Sequence, residues 1–342
     1  MPIEYPASSG GGVLNEHRAV RESVGLFDVS HLGKASVKGI GALDFLNTQV
    51  TNDLNRITAG QAQYSLLCNE MGGVIDDVII YCRSEDDLLV IPNAANAQAV
   101  LNVLVAQNHD SKLLIKNRHL DFAVIALQGP LSKEVLKSIG LQRDLDYMSF
   151  TNVDFEGASF TLCRTGYSGE HGYELIPPTA KAIDLWNVLS REVLRIGGKI
   201  AGLGARDTLR TEMGYPLHGH ELSLEITPVE ASASWAVGWA KDEFIGSETL
   251  RSQKQNGASR KSFALKSLDR GIPRAGMVVK NQNGQTVGEI TSGTFSPTLK
   301  IGIGIALLDS NIQVGDTLVI DVRGRDSQCE VVKLPFVTSH VR

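Results

Sequence analysis

Hydrophobic and polar positions follow a helical period in some segments and a two-residue period in others, which predicts mixed α and β structure to about residue 250. The helical period covers Asn15–Val24, and the alternation after Gly25, in L-F-D-V-S-H-L-G-K-A-S-V-K-G, predicts a strand. Gly41–Leu54 predicts a second helix. Next, the apolar runs Q-Y-S-L-L-C-N and V-I-D-D-V-I-I-Y are joined by E-M-G-G, which is typical of a β-hairpin.

Elements of both kinds follow the hairpin. The pattern predicts strands at Leu88–Pro92 and Phe122–Gln128 and helices at Ala94–Gln107 and Leu131–Ile139. The most amphipathic helix is expected at Ala180–Ile196, where two glycines follow as a C-cap signal.

The character of the sequence changes after the charged stretch Arg251–Lys261. Short apolar runs alternate there with turns such as K-N-Q-N-G-Q and R-G-R-D-S, and no long helical pattern remains. We therefore expect a separate all-β C-terminal domain, a small barrel. The length of 342 residues agrees with several domains, because a single core rarely grows beyond roughly 250–300 residues.

Composition and charge exclude several classes of protein. Hydrophobic residues make up 42% and charged residues 21% of the chain, as in soluble globular proteins. The net charge of -5 provides no basic surface for nucleic acid or an anionic membrane. No apolar window is long enough to span a membrane, and we expect no secretion signal, because the start has neither a basic nor an apolar region. The four cysteines lack C-x-x-C spacing, which favours buried thiols in the cytoplasm over disulfides or a zinc site.

The common catalytic motifs are absent from the sequence. The segment A-G-L-G-A-R-D is the nearest to a dinucleotide fingerprint, but Asp207 stands where the third glycine belongs. Neither G-x-x-x-x-G-K-[ST] nor G-x-S-x-G occurs.

Two adjacent carboxylates, Asp76 and Asp77, lie in the middle of the second apolar run of the hairpin. Neighbouring residues of a strand face opposite sides, so one aspartate enters the interior if the strand is buried. A buried carboxylate is unfavourable unless it is paired or used, and a polar ligand would supply the partner. The structural alternative is an edge strand with both aspartates near water.

Two further polar residues lie in glycine-rich segments. Glu174 belongs to R-T-G-Y-S-G-E-H-G-Y-E-L, where we expect the glycines to let the backbone approach a ligand closely. Arg206, in G-L-G-A-R-D-T-L-R, either pairs with Asp207 or meets an acceptor-rich ligand. With the aspartates, these residues indicate a pocket for a polar heterocycle.

The histidines have plainer interpretations. His218 and His220 have two-residue spacing in a glycine-containing turn, which favours ordinary polar loop residues over metal ligands. For His31, a packed histidine that bonds to the backbone is favoured over a general base.

Six motifs together resemble a known family. They are L-F-D-V-S-H-L-G (26–33), C-N-E-M-G-G-V-I-D-D (68–77), A-L-Q-G-P (126–130), R-T-G-Y-S-G-E-H-G-Y-E-L (164–175), G-L-G-A-R-D-T-L-R-T-E (202–212) and T-S-G-T-F-S-P-T-L (291–299). In this order, they resemble the aminomethyltransferase, or T-protein, family of the glycine cleavage system, across nearly the whole chain.

The resemblance implies an α+β fold, a three-domain cloverleaf around a central folate funnel. Two mixed α/β domains on antiparallel sheets would comprise residues 1–35 with 118–250, and residues 36–117; the C-terminal barrel-like domain would comprise residues 251–342. The implied reaction transfers the methylene of the aminomethyl group on the lipoyl arm of H-protein to tetrahydrofolate, without a metal. The products are 5,10-methylenetetrahydrofolate, ammonia and dihydrolipoyl H-protein. A cytoplasmic monomer is expected.

The resemblance also implies roles for individual residues. The second aspartate of the family's G-G-x-x-D-D motif, near the reacting pterin nitrogens, corresponds to Asp77. The glutamate that binds the pterin corresponds to Glu174, and the arginine of G-A-R-D corresponds to Arg206. Three more residues match positions that line the folate site: Tyr64, Asn93 and Tyr215.

Two related activities remain as alternatives. A folate-dependent demethylase would keep the fold and change the substrate, although the related oxidases need a flavin domain whose dinucleotide fingerprint is missing here. A folate-binding accessory protein of iron–sulfur assembly would carry a K-G-C-[YF]-x-G-Q-E type of segment. The corresponding region here, E-M-G-Y-P-L-H-G-H-E, has no cysteine.

Overall fold

A computed structural model describes residues 11–109, 112–322 and 324–342, so the first ten residues of the predicted first domain lie outside the described residues. The longer helices within these residues each pack against a sheet or against one another. They are α1 (Val13–Glu22), α2 (Ala42–Gln49), α3 (Ala97–Gln107), α4 (Ser132–Ser138), α5 (Thr179–Arg195), α6 (Leu203–Met213) and α7 (Ser247–Asn256).

The first sheet combines a strand from near the start of the chain with strands from its middle. Its members are β1 (Gly25–Asp28), β7 (Ile125–Gln128), β8 (Phe150–Phe155), β9 (Ala158–Cys163), β10 (Gly172–Ile176) and β11 (Lys199–Ile200). The spatial order is β11-β1-β7-β10-β9-β8, and every pair is antiparallel except β1 with β11. Apolar residues of α4 and α5 cover one face, as the amphipathic pattern of α5 predicts.

The second sheet is formed by one continuous stretch of chain. Its members are β2 (Ala35–Lys38), β3 (Gln61–Cys68), β4 (Val74–Ser84), β5 (Asp87–Pro92) and β6 (Leu114–Asn117), in the order β3-β4-β5-β2-β6. All pairs are antiparallel, and β3 and β4 form the predicted hairpin. Helices α2 and α3 bury one face of this sheet.

The single strand predicted after Gly25 is wrong, because the structure divides it between the two sheets. Strand β1 ends at Asp28, whose carboxylate accepts a hydrogen bond from the backbone N–H of Ser30 and so favours a turn. Gly33 then packs so tightly on the second sheet that a Cβ atom would lie 2.6 Å from Pro92. Apolar and polar residues alternate in the sequence across this turn as they would in one strand, because residues on both sides of the turn are buried.

Two predicted helices are shorter than expected, and a separate 3₁₀ turn lies near one end of each. Helix α2 ends at Gln49, and a separate 3₁₀ turn at Leu54–Arg56 begins where the Asp53 side chain accepts from the N–H of Asn55. Helix α3 is likewise preceded by a 3₁₀ turn at Ala94–Asn96.

The C-terminal part of the chain forms a closed barrel. Its strands are β12 (Arg260–Ser267), β13 (Val278–Lys280), β14 (Thr286–Ser296), β15 (Ile301–Asp309), β16 (Thr317–Asp321) and β17 (Asp326–Val332). They pair in the order β12-β15-β14-β13-β16-β17 around their own apolar core. The predicted α+β fold with antiparallel sheets and a C-terminal barrel is confirmed. The domain boundaries at residues 35, 118 and 251 remain a proposal, with which the strand membership of each sheet agrees.

The inner faces of the two sheets meet in a shared apolar cluster. Phe27 and Ala126 come from the first sheet, Tyr81 and Leu89 from the second, and Leu209 from α6. The two sheets and α6 therefore enclose the region in which the site lies.

Candidate functional site

A cavity of about 570 Å³ lies between the two sheets, α6 and the segment that follows α6. All six site residues predicted from the sequence line it: Tyr64, Asp77, Asn93, Glu174, Arg206 and Tyr215. They come from β3, β4, the end of β5, β10, α6 and the loop after α6. The fold thus brings together residues that are up to 151 positions apart, from Tyr64 to Tyr215.

Asp76 and Asp77 face opposite sides of β4, as the two-residue period predicts. Asp77 lines the cavity, whereas Asp76 is fully buried on the face that carries Val78 and Ile80 into the core beneath α2 and α3. The strand lies between β3 and β5 rather than at an edge. The alternative with both aspartates near water is therefore wrong.

Asn93 connects the two carboxylates. Its side-chain nitrogen donates to Asp77 Oδ1 at 2.8 Å and to Asp76 Oδ1 at 3.0 Å, and its backbone N–H donates to Asp76 Oδ2 at 2.8 Å. The side chain of Asn96 adds a hydrogen bond of 2.7 Å to Asp76 Oδ1. These hydrogen bonds hold the two carboxylates of β4 against the residues that follow β5.

The surroundings of Asp77 favour its protonated form. Burial, followed by the negative charge of Asp76, raises the pKa of Asp77 to about 7, although the hydrogen bond from Asn93 opposes this. The hydroxyl of Tyr64 lies beside Asp77 and favours its charge, but it makes no well-formed hydrogen bond with any described residue. A carboxyl with a pKa near neutrality can both accept and donate a proton.

Glu174 extends from β10 into the cavity and is 9% exposed. Its Oε2 accepts a hydrogen bond of 2.5 Å from the hydroxyl of Thr165, which lies next to the hydroxyl of Tyr81. No hydrogen bond from the described residues reaches its other oxygen, Oε1. The carboxylate is thus oriented on one side and accessible on the other.

Two glycines near Glu174 also have a structural role within the protein. A Cβ atom on Gly166 or Gly172 would lie 2.1 or 2.5 Å from the side chain of Gln128. That side chain donates to the carbonyls of Thr165 and Tyr173 and accepts from Ser168. These glycines thus make room for a buried glutamine that holds the loop, and Gly166 also lines the cavity, so the expected close approach to a ligand stays a prediction.

Arg206 lies on the first turn of α6 with its guanidinium 4.6 Å from the centre of the Tyr167 ring. The side chain of Asp207 pairs instead with Arg210, so the proposed Arg206–Asp207 pair is wrong. No acceptor among the described residues binds the guanidinium of Arg206. Its N–H groups are available to a ligand with acceptor atoms.

Aromatic rings form much of the remaining wall. Tyr64 stacks on Trp235 with ring centres 5.1 Å apart, and Tyr215 lies 5.6 Å from Tyr167. Trp235 is 64% exposed and marks the mouth of the cavity. Such rings suit a flat ligand.

Tyr167, Arg210 and Trp235 are among the residues of the cavity wall that the sequence did not predict. Arg210 binds Glu221 in the loop after α6 and the Ser292 hydroxyl of the barrel. Its spacing of four from Arg206 on one helix was a signal for a shared helical face. Trp235 carried no signal, because its position depends on the packing of a short 3₁₀ turn, Ser234–Ala236, against the second sheet.

The histidines lie around the same cavity. His218 Nε2 lies 3.1 Å from the Val74 carbonyl oxygen and His220 Nδ1 2.8 Å from that of Thr291, in keeping with polar loop residues. The packed interpretation of His31 is wrong, because its side chain is exposed at the cavity wall. Among the described residues, no group of three His, Cys, Asp or Glu side chains could hold a metal ion, and all four cysteines are buried and unpaired.

Two family descriptions match consecutive parts of the chain. The GCVT N-terminal domain matches residues 1–241, and the glycine cleavage T-protein C-terminal barrel domain matches residues 260–338. Together with the two sheets, the barrel and the cavity, these matches define the class. The chain belongs to the glycine cleavage T-protein family, so the resemblance seen in the motifs is confirmed.

Named relatives are similar over the full chain. An aminomethyltransferase of Parafrankia sp. is 52% identical over 100% of this chain and 93% of its own length. One of Mycobacterium tuberculosis is 51% identical over 100% of this chain and 92% of its own length. The crystal structure of the glycine cleavage system aminomethyltransferase T from Bartonella henselae superimposes with a TM-score of 0.91 at 32% identity, covering 99% of this chain and 92% of that one. In the described part of this chain, no helix is long and apolar enough to cross a membrane.

Proposed function

We propose that this chain is an aminomethyltransferase of a glycine cleavage system. It transfers the methylene of the aminomethyl group held on the lipoyl arm of H-protein to tetrahydrofolate. The products are 5,10-methylenetetrahydrofolate, ammonia and dihydrolipoyl H-protein. The observation that carries the proposal is that six residues named from separate sequence motifs meet in one cavity. The name shared by the relatives supports the reaction class.

The chemistry of the cavity fits a reduced folate. Its volume of about 570 Å³ lies in the range of sites for small organic ligands. Arg206 offers donors without a protein acceptor, Glu174 Oε1 is accessible, and the buried Tyr64 hydroxyl has no partner among the described residues. A pterin has both the N–H edge and the acceptor atoms that these groups require.

Each residue then has a distinct task. Glu174 accepts two hydrogen bonds from the aminopyrimidine edge, since a carboxylate retains free lone pairs after bonding to Thr165. Arg206 donates to acceptor atoms of the ligand, and the rings of Tyr64 and Tyr215 line its faces. Asn93 holds Asp77 in place.

Asp77 is the catalytic residue of this proposal. Its carboxylate stabilises positive charge that develops near the pterin nitrogens, and its pKa of about 7 suits a group that moves a proton at neutral pH. The bidentate grip of Glu174 orients the acceptor nitrogen toward Asp77. Tetrahydrofolate itself supplies the nucleophilic nitrogen that takes the one-carbon unit.

The test is product formation from purified components. The full chain is mixed with tetrahydrofolate and H-protein whose lipoyl group carries the aminomethyl unit, and methylenetetrahydrofolate and ammonia are measured, with unlipoylated H-protein as control. We expect both products in equal amounts. Folate binding without turnover would contradict the proposal, and turnover of a free methylated compound instead would indicate a demethylase. The expected monomeric state and cytoplasmic location are part of the same proposal.

A further inference from the structure

Asp76 is a buried carboxylate that the proposed reaction does not use. It is 0% exposed, and no cationic side chain among the described residues forms an ion pair with it. Its hydrogen bonds come only from the neutral amides of Asn93 and Asn96. An asparagine would still accept the two hydrogen bonds at Oδ1 without a buried charge and would lose only the one at Oδ2, so the charge itself needs an explanation.

The position of Asp76 next to Asp77 provides that explanation. A single nitrogen, Asn93 Nδ2, donates to Asp76 Oδ1 at 3.0 Å and to Asp77 Oδ1 at 2.8 Å. The two carboxylates therefore approach the same amide group from the two faces of β4. Two carboxylates this close do not ionise independently, and their protons dissociate in two coupled steps.

The other polar groups around the pair do not neutralise it permanently. Tyr64 faces it from β3 and Tyr167 from the loop after β9, and burial raises the pKa of each hydroxyl. His218, in the loop after α6, favours the Asp76 charge. The remaining charged or titratable side chains among the described residues that line the cavity are His31, Tyr81, Tyr147, Glu174, Arg206, Asp207, Arg210, Tyr215 and His220. Of the two guanidinium groups, Arg210 is already paired with Glu221, and Arg206 lies against Tyr167.

We propose that Asp76 is a positioning residue for proton transfer: coupled to Asp77 through Asn93, it sets the pH range in which Asp77 exchanges its proton. With Asp76 ionised, Asp77 retains its proton to higher pH than an isolated carboxyl would. A neutral residue at position 76 removes this effect and leaves every side chain that lines the cavity unsubstituted. The inference deepens the proposed function and rests on it for the use made of the proton.

The decisive measurement is the titration of Asp77 itself, which does not require turnover. Carboxyl carbons of aspartate are labelled with ¹³C in the full chain, and the Asp77 signal is assigned from Asp77→Asn. We expect the Asp77 titration to move to lower pH by about one unit or more in Asp76→Asn. In Ile80→Val, a core change on the same face of β4, the titration should stay in place. An unmoved Asp77 titration in folded Asp76→Asn would overturn the proposal.

A second variant covers the case in which Asp76→Asn does not fold. Asn96→Ala keeps Asp76 but removes the hydrogen bond of 2.7 Å that stabilises the charge on its Oδ1, so Asp76 is protonated more of the time. The Asp77 titration should move in the same direction by a smaller amount, and no movement would again contradict the proposal.

Activity separates this inference from the proposed function. The limb of the pH–rate profile that Asp77 controls should move with its titration. A shifted titration in a chain that transfers no aminomethyl group would leave the coupling intact and refute the function. Normal aminomethyl transfer with an unshifted Asp77 titration would refute the coupling and leave the proposed function intact.

Discussion

Asp77 combines burial, a carboxylate neighbour and an opening to the cavity. These properties distinguish it from Asp207, which also lines the cavity. Asp77→Asn keeps the size of the side chain and its contact with Asn93 but removes proton exchange and negative charge. We expect turnover to fall by roughly 10²–10⁴-fold, the usual contribution of general acid–base catalysis, while folate binding stays close to normal. Single-turnover kinetics and calorimetric titration with tetrahydrofolate measure the two quantities separately.

The matched control is Asp44→Asn, the same substitution at an exposed position of α2. It should leave both quantities unchanged. Near-normal turnover in Asp77→Asn would remove this residue from the mechanism.

Glu174 depends on Thr165 for its orientation, because the Thr165 hydroxyl donates the hydrogen bond of 2.5 Å to Oε2. The main effect of Glu174→Ala should be a weaker affinity for tetrahydrofolate. Thr165→Val should weaken it by about tenfold, since a hydrogen bond to a charged group contributes about 1.5 kcal/mol. Thr165→Ser should restore most of the affinity, and equilibrium titration with tetrahydrofolate measures all three variants. Unchanged affinity in Glu174→Ala would place the pterin elsewhere.

At the scale of elements, local pattern predicted what is repetitive and missed what depends on distant packing. The hairpin β3–β4, the helix α5 and the all-β end of the chain follow from period and turn residues. The division of residues 25–38 between two sheets does not, because Gly33 turns the chain only by packing on Pro92, some sixty residues later. The site shows the same limit. Asp77 and Glu174 stand out as charges in apolar strands, whereas Trp235 lies in a single 3₁₀ turn that hydrogen bonds to Thr51 hold in place.

The turn of the hairpin is itself a structural contact. The loop after α6 lies against it, so that a Cβ atom on Gly73 would be 1.8 Å from the Leu224 carbonyl oxygen. Gly73→Ala must displace backbone, and we expect the free energy of unfolding to fall by about 1–3 kcal/mol. Because Asp76 follows three residues later, the Asp77 carboxylate should also shift and turnover should fall. Chemical denaturation and the aminomethyl transfer assay measure the two effects.

Gly219→Ala is the comparison for this prediction. Gly219 has a positive φ of 87° but no atom within 4 Å of a new Cβ, so only backbone strain opposes alanine there. The expected loss is about 1 kcal/mol with little change in turnover. Equal losses in the two variants would show that the close approach at Leu224 is unimportant.

At the scale of the whole molecule, Glu212 joins α1, α6 and the barrel. Its Oε2 accepts from Arg21 at 2.8 Å and lies 3.2 Å from His17 Nε2, both on α1. Its Oε1 accepts from the Ser296 hydroxyl at 2.5 Å and from the backbone N–H of Thr298 at 3.1 Å. Burial alone would raise the pKa of Glu212, but the hydrogen bond and charge of His17, with Ser296 and Arg21, lower it from 4.5 to about 2.

This depression makes the junction a source of acid sensitivity. Because the pKa of Glu212 is lower in the folded than in the unfolded state, its stabilisation is fully present above pH 4.5 and is lost as the pH falls toward 2. At 1.36 kcal/mol per pKa unit, the contribution is about 3 kcal/mol. Glu212→Gln keeps the shape and removes the charge, so we expect the free energy of unfolding at pH 7 to fall by about that amount. Its dependence on pH between 4.5 and 2 should flatten at the same time.

Denaturation with urea at a series of pH values measures both effects, and the same mutation at an exposed glutamate, Glu248→Gln on α7, provides the control. The control should follow the unsubstituted chain at every pH, because a single exposed charge contributes little to stability. A Glu212→Gln chain with the same pH dependence as the control would show that His17 and Arg21 do not hold this carboxylate in its charged form. Because α6 also carries Arg206 and Arg210, loosening the junction should in addition weaken folate binding, although Glu212 does not line the cavity.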